Sequence, residues 1–191
     1  MSGAASLAER LRRETRDDHD AIELALDWEN RAATRVGYRG WLERLHGFHA
    51  VWEPMTAGAL DDPAFVDPRR KLELLRSDLM RLGLAGAAID ALPRPEKLGP
   101  IATRAEALGS MYVVEGSMLG GRLIARHVHA TLGFEPAYHR AYGEATGAMW
   151  RSFRRALNGA ELDHDAAVES ARRTFRFLER WLAGDRALLA A

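Results

Sequence analysis

Four glycines fall inside one apolar, helix-patterned stretch, Leu108-Gly109-Ser110-Met111-Tyr112-Val113-Val114-Glu115-Gly116-Ser117-Met118-Leu119-Gly120-Gly121-Arg122-Leu123-Ile124. Each glycine costs a helix interior about 1 kcal/mol relative to alanine, so something other than helix stability favours them. Gly109, Gly116 and Gly120 are spaced by seven and four residues, which places them on one face and leaves that strip without side chains. A flat ligand can lie there directly against backbone. Helix packing is the competing reading, because Gly116-x-x-x-Gly120 is also a spacing that lets two backbones approach closely. Glu115 and Arg122 argue against a lipid-facing version of it.

A second constellation centres on His19, in Leu11-Arg12-Arg13-Glu14-Thr15-Arg16-Asp17-Asp18-His19-Asp20-Ala21-Ile22-Glu23. Glu23 lies one helical turn on, shares the face of His19, and can accept a hydrogen bond that orients the imidazole, as metal-binding histidines require. An ordinary surface pair has the same spacing. A third pattern is metal-like: Glu43-Arg44-Leu45-His46 and Glu161-Leu162-Asp163-His164 match the Glu-x-x-His spacing of di-iron carboxylate bundles. The second pair straddles an expected helix start, which weakens that reading. His46 with His49, and His127 with His129, read as solvated or capping histidines. The Arg69-Arg70-Lys71 and Arg172-Arg173 runs read as solvated faces, with docking of an electron donor the alternative.

Almost every signal along the chain that positions these groups is helical. Ser6-Leu7-Ala8-Glu9 is a capping box opening a helix to about Asp27, with Leu7, Leu11, Ile22 and Leu26 facing the core. Thr34 caps a second helix carrying Tyr38, Trp41, Leu45, Phe48 and Trp52, which Pro54 is expected to kink or end. Asp67-Pro68 reads as cap plus first position of a third helix ending at Gly83, followed by a short helix near Gly86 to Ala91 and a linker at Pro93-Arg94-Pro95. The glycine-bearing helix is expected from about Ile101 to Ala130, and another from about Pro136 to Leu157, stopped by Asn158-Gly159. Asp163 caps the last, which holds Val168, Phe175, Leu178 and Leu182.

The chain has 191 residues, 47% of them hydrophobic, enough for one substantial core, so a single domain over 1–191 is expected. Lysine plus arginine (27) equals aspartate plus glutamate (27), which gives no net charge for coating nucleic acid or an anionic membrane. The absence of cysteine excludes disulfides, thiolate nucleophiles and cysteine-ligated metals. With no signal-peptide pattern at the start and no long apolar run, the reading is a soluble, cytoplasmic, all-α protein.

Together the first two constellations resemble the heme oxygenase family, more closely the bacterial enzymes associated with making biliverdin for phytochromes. Arg12 to Glu23 is similar to that family's proximal segment, and the resemblance makes His19 the axial iron ligand and Arg12 a propionate partner. Tyr112 to Gly121, with Glu115-Gly116-Ser117-x-x-Gly120-Gly121, is similar to the distal helix, so Gly116, Ser117 and Gly120 would line the oxygen side, with Tyr112 and Gly121 beside them. Met149 to Asn158 and Ala171 to Leu182 resemble the last two helices, which adds Arg154 as a propionate contact and Phe175 as packing against the macrocycle.

The resemblance implies a bundle of about six to eight helices and a reaction in which heme is both cofactor and substrate. Oxygen and reducing equivalents from an external donor, such as a reductase or ferredoxin, would open the ring to biliverdin, ferrous iron and carbon monoxide. A phytochrome would be the expected recipient of the biliverdin. One departure is Ser117, where the animal-type enzymes carry an aspartate that organises the proton-delivering water. A serine hydroxyl holds water but carries no carboxylate charge. A non-catalytic heme carrier or sensor on the same fold, and a di-iron oxidase on a related scaffold, are the alternatives.

Overall fold

The computed structural model describes residues 5–159 and 161–188; positions 1–4, 160 and 189–191 of the expected domain lie outside the described residues. Helix α1 (Leu7–Glu14) opens at the expected capping box, with the Ser6 hydroxyl accepting from the Glu9 N–H and the Glu9 carboxylate accepting from the Ser6 N–H at 2.9 Å. It does not run on to Asp27. The Glu14 carbonyl is taken by the Arg172 guanidinium, whose Nε and Nη2 donate to it at 3.1 and 3.0 Å, and the Thr15 hydroxyl donates to the Leu11 carbonyl at 2.8 Å. With those acceptors occupied, the chain turns at Thr15 and restarts as α2 (Arg16–Leu26), which ends at Asp27 in the left-handed region (φ 43°). Ile22 and Leu26, expected in the core, are only half-buried, and no residue of α2 is buried.

Helix α3 (Arg35–Leu60) is capped by Thr34 as expected and buries Tyr38, Trp41, Leu45, Phe48 and Trp52. Pro54 does not end it. Trp52, Glu53 and Thr56 are buried on either side of the proline, so tertiary packing overrides the local penalty. Asp67 and Pro68 form only a 3-10 turn, and α4 (Leu72–Arg81) begins after Lys71. The orphan N–H groups at its start are satisfied from α3: Glu53 Oε1 accepts from the backbone N–H of Lys71 (2.7 Å) and Leu72 (3.0 Å).

Helix α5 (Arg104–Leu132) has its own capping box, Thr103 with Glu106, and runs unbroken through all four glycines to Gly133. The single helix expected from Pro136 to Leu157 is instead α6 (Ala137–Arg140), a turn at Gly143 (φ 52°), and α7 (Thr146–Gly159). Helix α8 (His164–Ala183) starts at Asp163, whose carboxylate accepts from the Ala166 N–H at 3.0 Å, and stops at Gly184.

Among the described residues, all seven helices of eight residues or more share one core built around α5 and α8. A Cβ at Gly109 would collide with the Ala167 backbone, so this glycine sets how closely α5 and α8 approach. A buried polar stitch joins three helices: Trp52 Nε1 donates to Ser110 Oγ at 2.7 Å, and Ser110 meets Thr174 at 2.8 Å. No helix of the described residues is long and apolar enough to cross a membrane.

Candidate functional site

Helix α2 packs on α8, and α5 packs on α8 and α3, but α2 and α5 share no extended contact with each other. Between them lies a cavity of about 930 Å³, at the upper end of the range for small-molecule sites. His19, Ile22 and Leu26 line it from α2; Tyr112, Gly116, Ser117 and Gly120 from α5; Phe175 and Leu178 from α8; Arg12 and Arg154 from α1 and α7.

His19 is half exposed on the α2 side. Its Nδ1 lies 3.6 Å from Asp20 Oδ1 and its Nε2 lies 3.6 Å from Glu23 Oε1, too far for either ring nitrogen to be committed to a hydrogen bond. The imidazole sits edge-on to Phe175, centroids 6.0 Å apart at 76°. His19, Asp20 and Glu23 form the one cluster of potential metal ligands among the described residues. Neither Glu43 with His46 nor Glu161 with His164 belongs to such a cluster, and Glu161 precedes its helix, so the di-iron pairing does not assemble.

Opposite, a Cβ at Gly120 would meet nothing within 4 Å, and one at Gly116 would only touch the Trp150 ring at 4.0 Å. These two positions are bare toward the cavity. Gly121 is not: a Cβ there would run into the His139 carbonyl, so this glycine serves the packing of α6 on α5 and does not line the cavity. Gly109, on the same stripe as Gly116, is likewise spent on packing. The Ser117 hydroxyl donates to the Val114 carbonyl at 2.8 Å. Tyr112 is pushed up by burial, opposed by the positive charges of Arg12 and Arg154, both of which line the same cavity.

Sequence reasoning missed the buried polar groups behind the glycine helix. His46 and His49, read as solvated, are buried, as are Arg69 and Lys71 of the supposedly solvated basic run; Arg172 and Arg173 are half-buried. His127 is half-buried, edge-on to Trp28, and only His129 is exposed, paired with Glu135 at 2.9 Å. His49 Nδ1 meets Glu53 Oε1 at 3.0 Å and its Nε2 meets the Tyr138 hydroxyl at 3.2 Å. Lys71 Nζ donates to Glu115 Oε1 (3.0 Å), the Arg69 carbonyl (2.8 Å) and the Tyr142 hydroxyl (2.8 Å). Burial keeps His49 and Lys71 low, the latter opposed by Glu115. For Glu53 the burial penalty is outweighed by His49 and the two N–H donors, which hold the carboxylate ionised. The His49-to-Glu53 spacing is the signal that could have found this pair, because it puts both on the same helical face as the core residues Trp52 and Thr56.

The fold and the slot define a helical protein with one cavity lined by an imidazole, by bare backbone and by two arginines. The heme oxygenase family profile matches residues 5–184, and the chain belongs to that family. A heme oxygenase of Xanthomonas campestris pv. campestris (strain 8004) is 37% identical over 91 residues, which is 47% of this chain. That match spans 51% of the relative, about half its length. The NO- and CO-bound heme oxygenase of Neisseria meningitidis shares the fold, with a TM-score of 0.74 over 98% of both chains at 23% identity.

Proposed function

We propose that the protein cleaves heme oxidatively to biliverdin, ferrous iron and carbon monoxide, with His19 as the proximal iron ligand. The observation that carries this reading is that His19 and the bare positions Gly116 and Gly120 line one cavity of heme-accommodating size, which Arg12 and Arg154 also line. Bound heme supplies both the iron at which oxygen is reduced and the porphyrin edge that is oxidised.

The remaining work belongs to the chain. His19 would give one ring nitrogen to iron, with Glu23 or Asp20, each 3.6 Å from a ring nitrogen, to orient the other. Arg12 and Arg154 hold the propionates. Phe175, Ile22 and Leu26 exclude water from the macrocycle, and Gly116 and Gly120 present no side chain that could be oxidised in place of the ring. An external reductase or ferredoxin supplies electrons, and the resemblance to phytochrome-associated enzymes makes a phytochrome the proposed recipient of biliverdin.

The test is a heme titration followed by ascorbate in air. The native protein should give a Soret band that decays to a biliverdin spectrum. His19→Ala should lose the axial ligation and the turnover; a His19→Ala variant with native ligation and product refutes the assignment. The Ser117 hydroxyl is tied to the Val114 carbonyl and has no proton to offer the cavity, which favours a second reading, a non-catalytic heme carrier. Stable heme under ascorbate selects it.

A further inference from the structure

Helix α8 carries a stripe of charge that no step of the proposed reaction uses. Asp165, Arg172 and Arg176 are spaced by seven and four residues, which puts them on one helical face. That face meets the elbow between α1 and α2. Asp165 pairs with Arg10 on α1, and Arg176 Nε donates to Asp18 Oδ1 on α2 at 2.9 Å. Arg172 stands between them, at the elbow itself.

An unbroken helix would satisfy the Glu14 carbonyl with the N–H four residues on, that of Asp18. Here the Arg172 guanidinium supplies the donors, Nε at 3.1 Å and Nη2 at 3.0 Å, and the same Nε lies 4.0 Å from Asp18 Oδ2. The Asp18 side chain is only 13% exposed, facing both Arg172 and Arg176. Thr15, at the bend, is buried. A planar guanidinium that grips one carbonyl with two N–H groups fixes direction as well as distance, which a lysine ammonium in its place would not.

The elbow separates two groups that a bound heme would need at once. Before it, α1 carries Arg12; after it, α2 carries His19; and both side chains line the cavity. Arg172 is bonded to the last residue of α1 and paired with the third residue of α2, so its place sets the angle between the two helices. Asp18 directly precedes His19, whose ring rests edge-on against Phe175 of the same α8. Arg173, the next residue along, points to a different neighbour. It donates to the Pro100 carbonyl at 3.2 Å and lies 3.5 Å from Glu106, tying α8 to the start of α5.

We infer that Arg172, held against Asp18, is a positioning residue for heme: it sets the angle at which α2 leaves α1, and with it the separation between the guanidinium that takes a propionate and the imidazole that takes the iron. Asp18 is its partner in that task. Both act through α1 and α2, not on the ligand itself. The pin lies at the entrance of α2, so the later turns that carry the half-buried Ile22 and Leu26 stay free to close on a ligand. The inference rests on the heme-cleaving reading.

The experiment measures heme affinity and the iron–imidazole stretching band of the ferrous complex, by resonance Raman, in the native protein and in Arg172→Met, Arg172→Lys and Asp18→Asn, with Arg173→Met as the control. Arg172→Met should weaken heme binding by roughly tenfold or more, and the band of the complex that forms should shift or broaden. Arg172→Lys keeps a charge for Asp18 and loses the fork, so it should recover only part of the affinity. Asp18→Asn keeps the fork and should fall between the native protein and Arg172→Met. Arg173→Met should keep the native affinity and band. A loss of stability alone lowers the melting temperature of the heme-free protein and leaves the band of the folded complex in place, so the band separates positioning from mere support. If Arg172→Met does not fold, the band of Asp18→Asn decides. A band that shifts in none of the three variants, or shifts equally in Arg173→Met, overturns this inference and leaves heme cleavage standing. A native protein that binds no heme overturns both.

Discussion

Alanine at each of the four glycines should act in two opposite ways, and the sign follows from what a Cβ would meet. Glycine to alanine in a helix interior gains about 1 kcal/mol where space allows. At Gly120 a Cβ meets nothing within 4 Å, so the gain stands; at Gly116 it meets only the Trp150 ring at ordinary contact distance. At Gly109 and Gly121 it meets the backbone of Ala167 and the carbonyl of His139, neither of which can rotate away as a side chain would. Overpacking of that kind costs about 1–3 kcal/mol, which cancels or exceeds the helical gain. For a chain of this length about 1 kcal/mol moves Tm by roughly 2–4 °C, so Gly120→Ala should unfold higher than the native heme-free protein and Gly109→Ala lower. Heme titration should rank them the other way: Gly116→Ala and Gly120→Ala put a methyl into the slot and weaken binding, whereas Gly109→Ala and Gly121→Ala, once folded, leave the slot surface intact. Circular dichroism melts and Soret titrations of the four variants read both quantities. If all four alanines shift Tm in the same direction, or if Gly120→Ala binds heme and turns it over like the native protein, the bare strip is not a ligand surface.

Lys71→Met should destabilise by up to about 3–5 kcal/mol in urea melts, because the buried Glu115 loses its nearest cation and keeps only Arg69 at 3.7 Å, and Lys71→Met/Glu115→Gln should not restore the loss, since it leaves Arg69 buried without a counter-charge. Acid sensitivity should begin near neutrality: burial lowers His46 and His49 from 6.5, and His139 to about 3. Below 6.5 the unfolded chain therefore takes up protons that the folded one refuses, and stability falls as pH drops, for His139 down toward 3 and for His46 and His49 until each protonates in the fold, by up to about 1.4 kcal/mol per pH unit for each group over its own window. Urea midpoints measured from pH 7 to 4 check it, and a flat profile over that window refutes the burial argument. Asp78→Ala should cost about 1–3 kcal/mol and speed amide exchange at Ala137 and Tyr138, whose N–H groups lose their acceptor. Heme should slow amide exchange in α2 far more than in α5, since α2 buries none of its own residues; equal protection of both helices in the heme-free protein would contradict this.

The glycines and His19 were readable because they break local rules. A helix that tolerates Gly109, Gly116, Gly120 and Gly121 advertises close approach of something, and the spacing already put His19 and Glu23 on one helical face, while Arg12 came only from the resemblance. What the approach was to could not be read locally, since it depends on which helix lies opposite each turn: α8 at Gly109, α6 at Gly121, open cavity at Gly116 and Gly120. The helix boundaries that differed share that cause. Glu14, Lys71 and Ala137 lie at breaks or starts where a hydrogen bond comes from Arg172, Glu53 and Asp78, residues 158, 18 and 59 positions away in sequence, and no window of local pattern contains them. The buried histidines and basic residues were misread for a related reason. Composition treats Arg69-Arg70-Lys71 as one solvated run, yet only Arg70 faces water, because Glu115 on a helix far along the chain gives Lys71 a partner inside.

The two walls of the slot are held by unlike forces, and that difference suits a site that must admit a large planar molecule and release a product. Helix α5 is fixed by a capping box, by backbone contact at Gly109 and Gly121, and by the buried Lys71–Glu115 pair one residue before Gly116. A rotation of α5 large enough to turn Gly116 away from the cavity would unpair Glu115 inside the protein, a cost of several kcal/mol. Helix α2 has no such constraint. Its polar and aromatic ties to α8 include Asp18 with Arg176 at 2.9 Å and with Arg172 at 4.0 Å, the Arg172 bonds to the Glu14 carbonyl at its entrance, and the edge of His19 on Phe175. Arg176 is exposed and Asp18 only slightly so, and a pair with one partner in solvent is worth about 1 kcal/mol, so these ties constrain α2 far less than buried backbone contact constrains α5. Ile22 and Leu26, half-buried without a ligand, have apolar surface left to cover, and a macrocycle in the cavity supplies what the core does not. The helix that carries the proposed iron ligand is thus the one whose packing a bound ligand completes, and the helix opposite is the one the rest of the fold has already fixed.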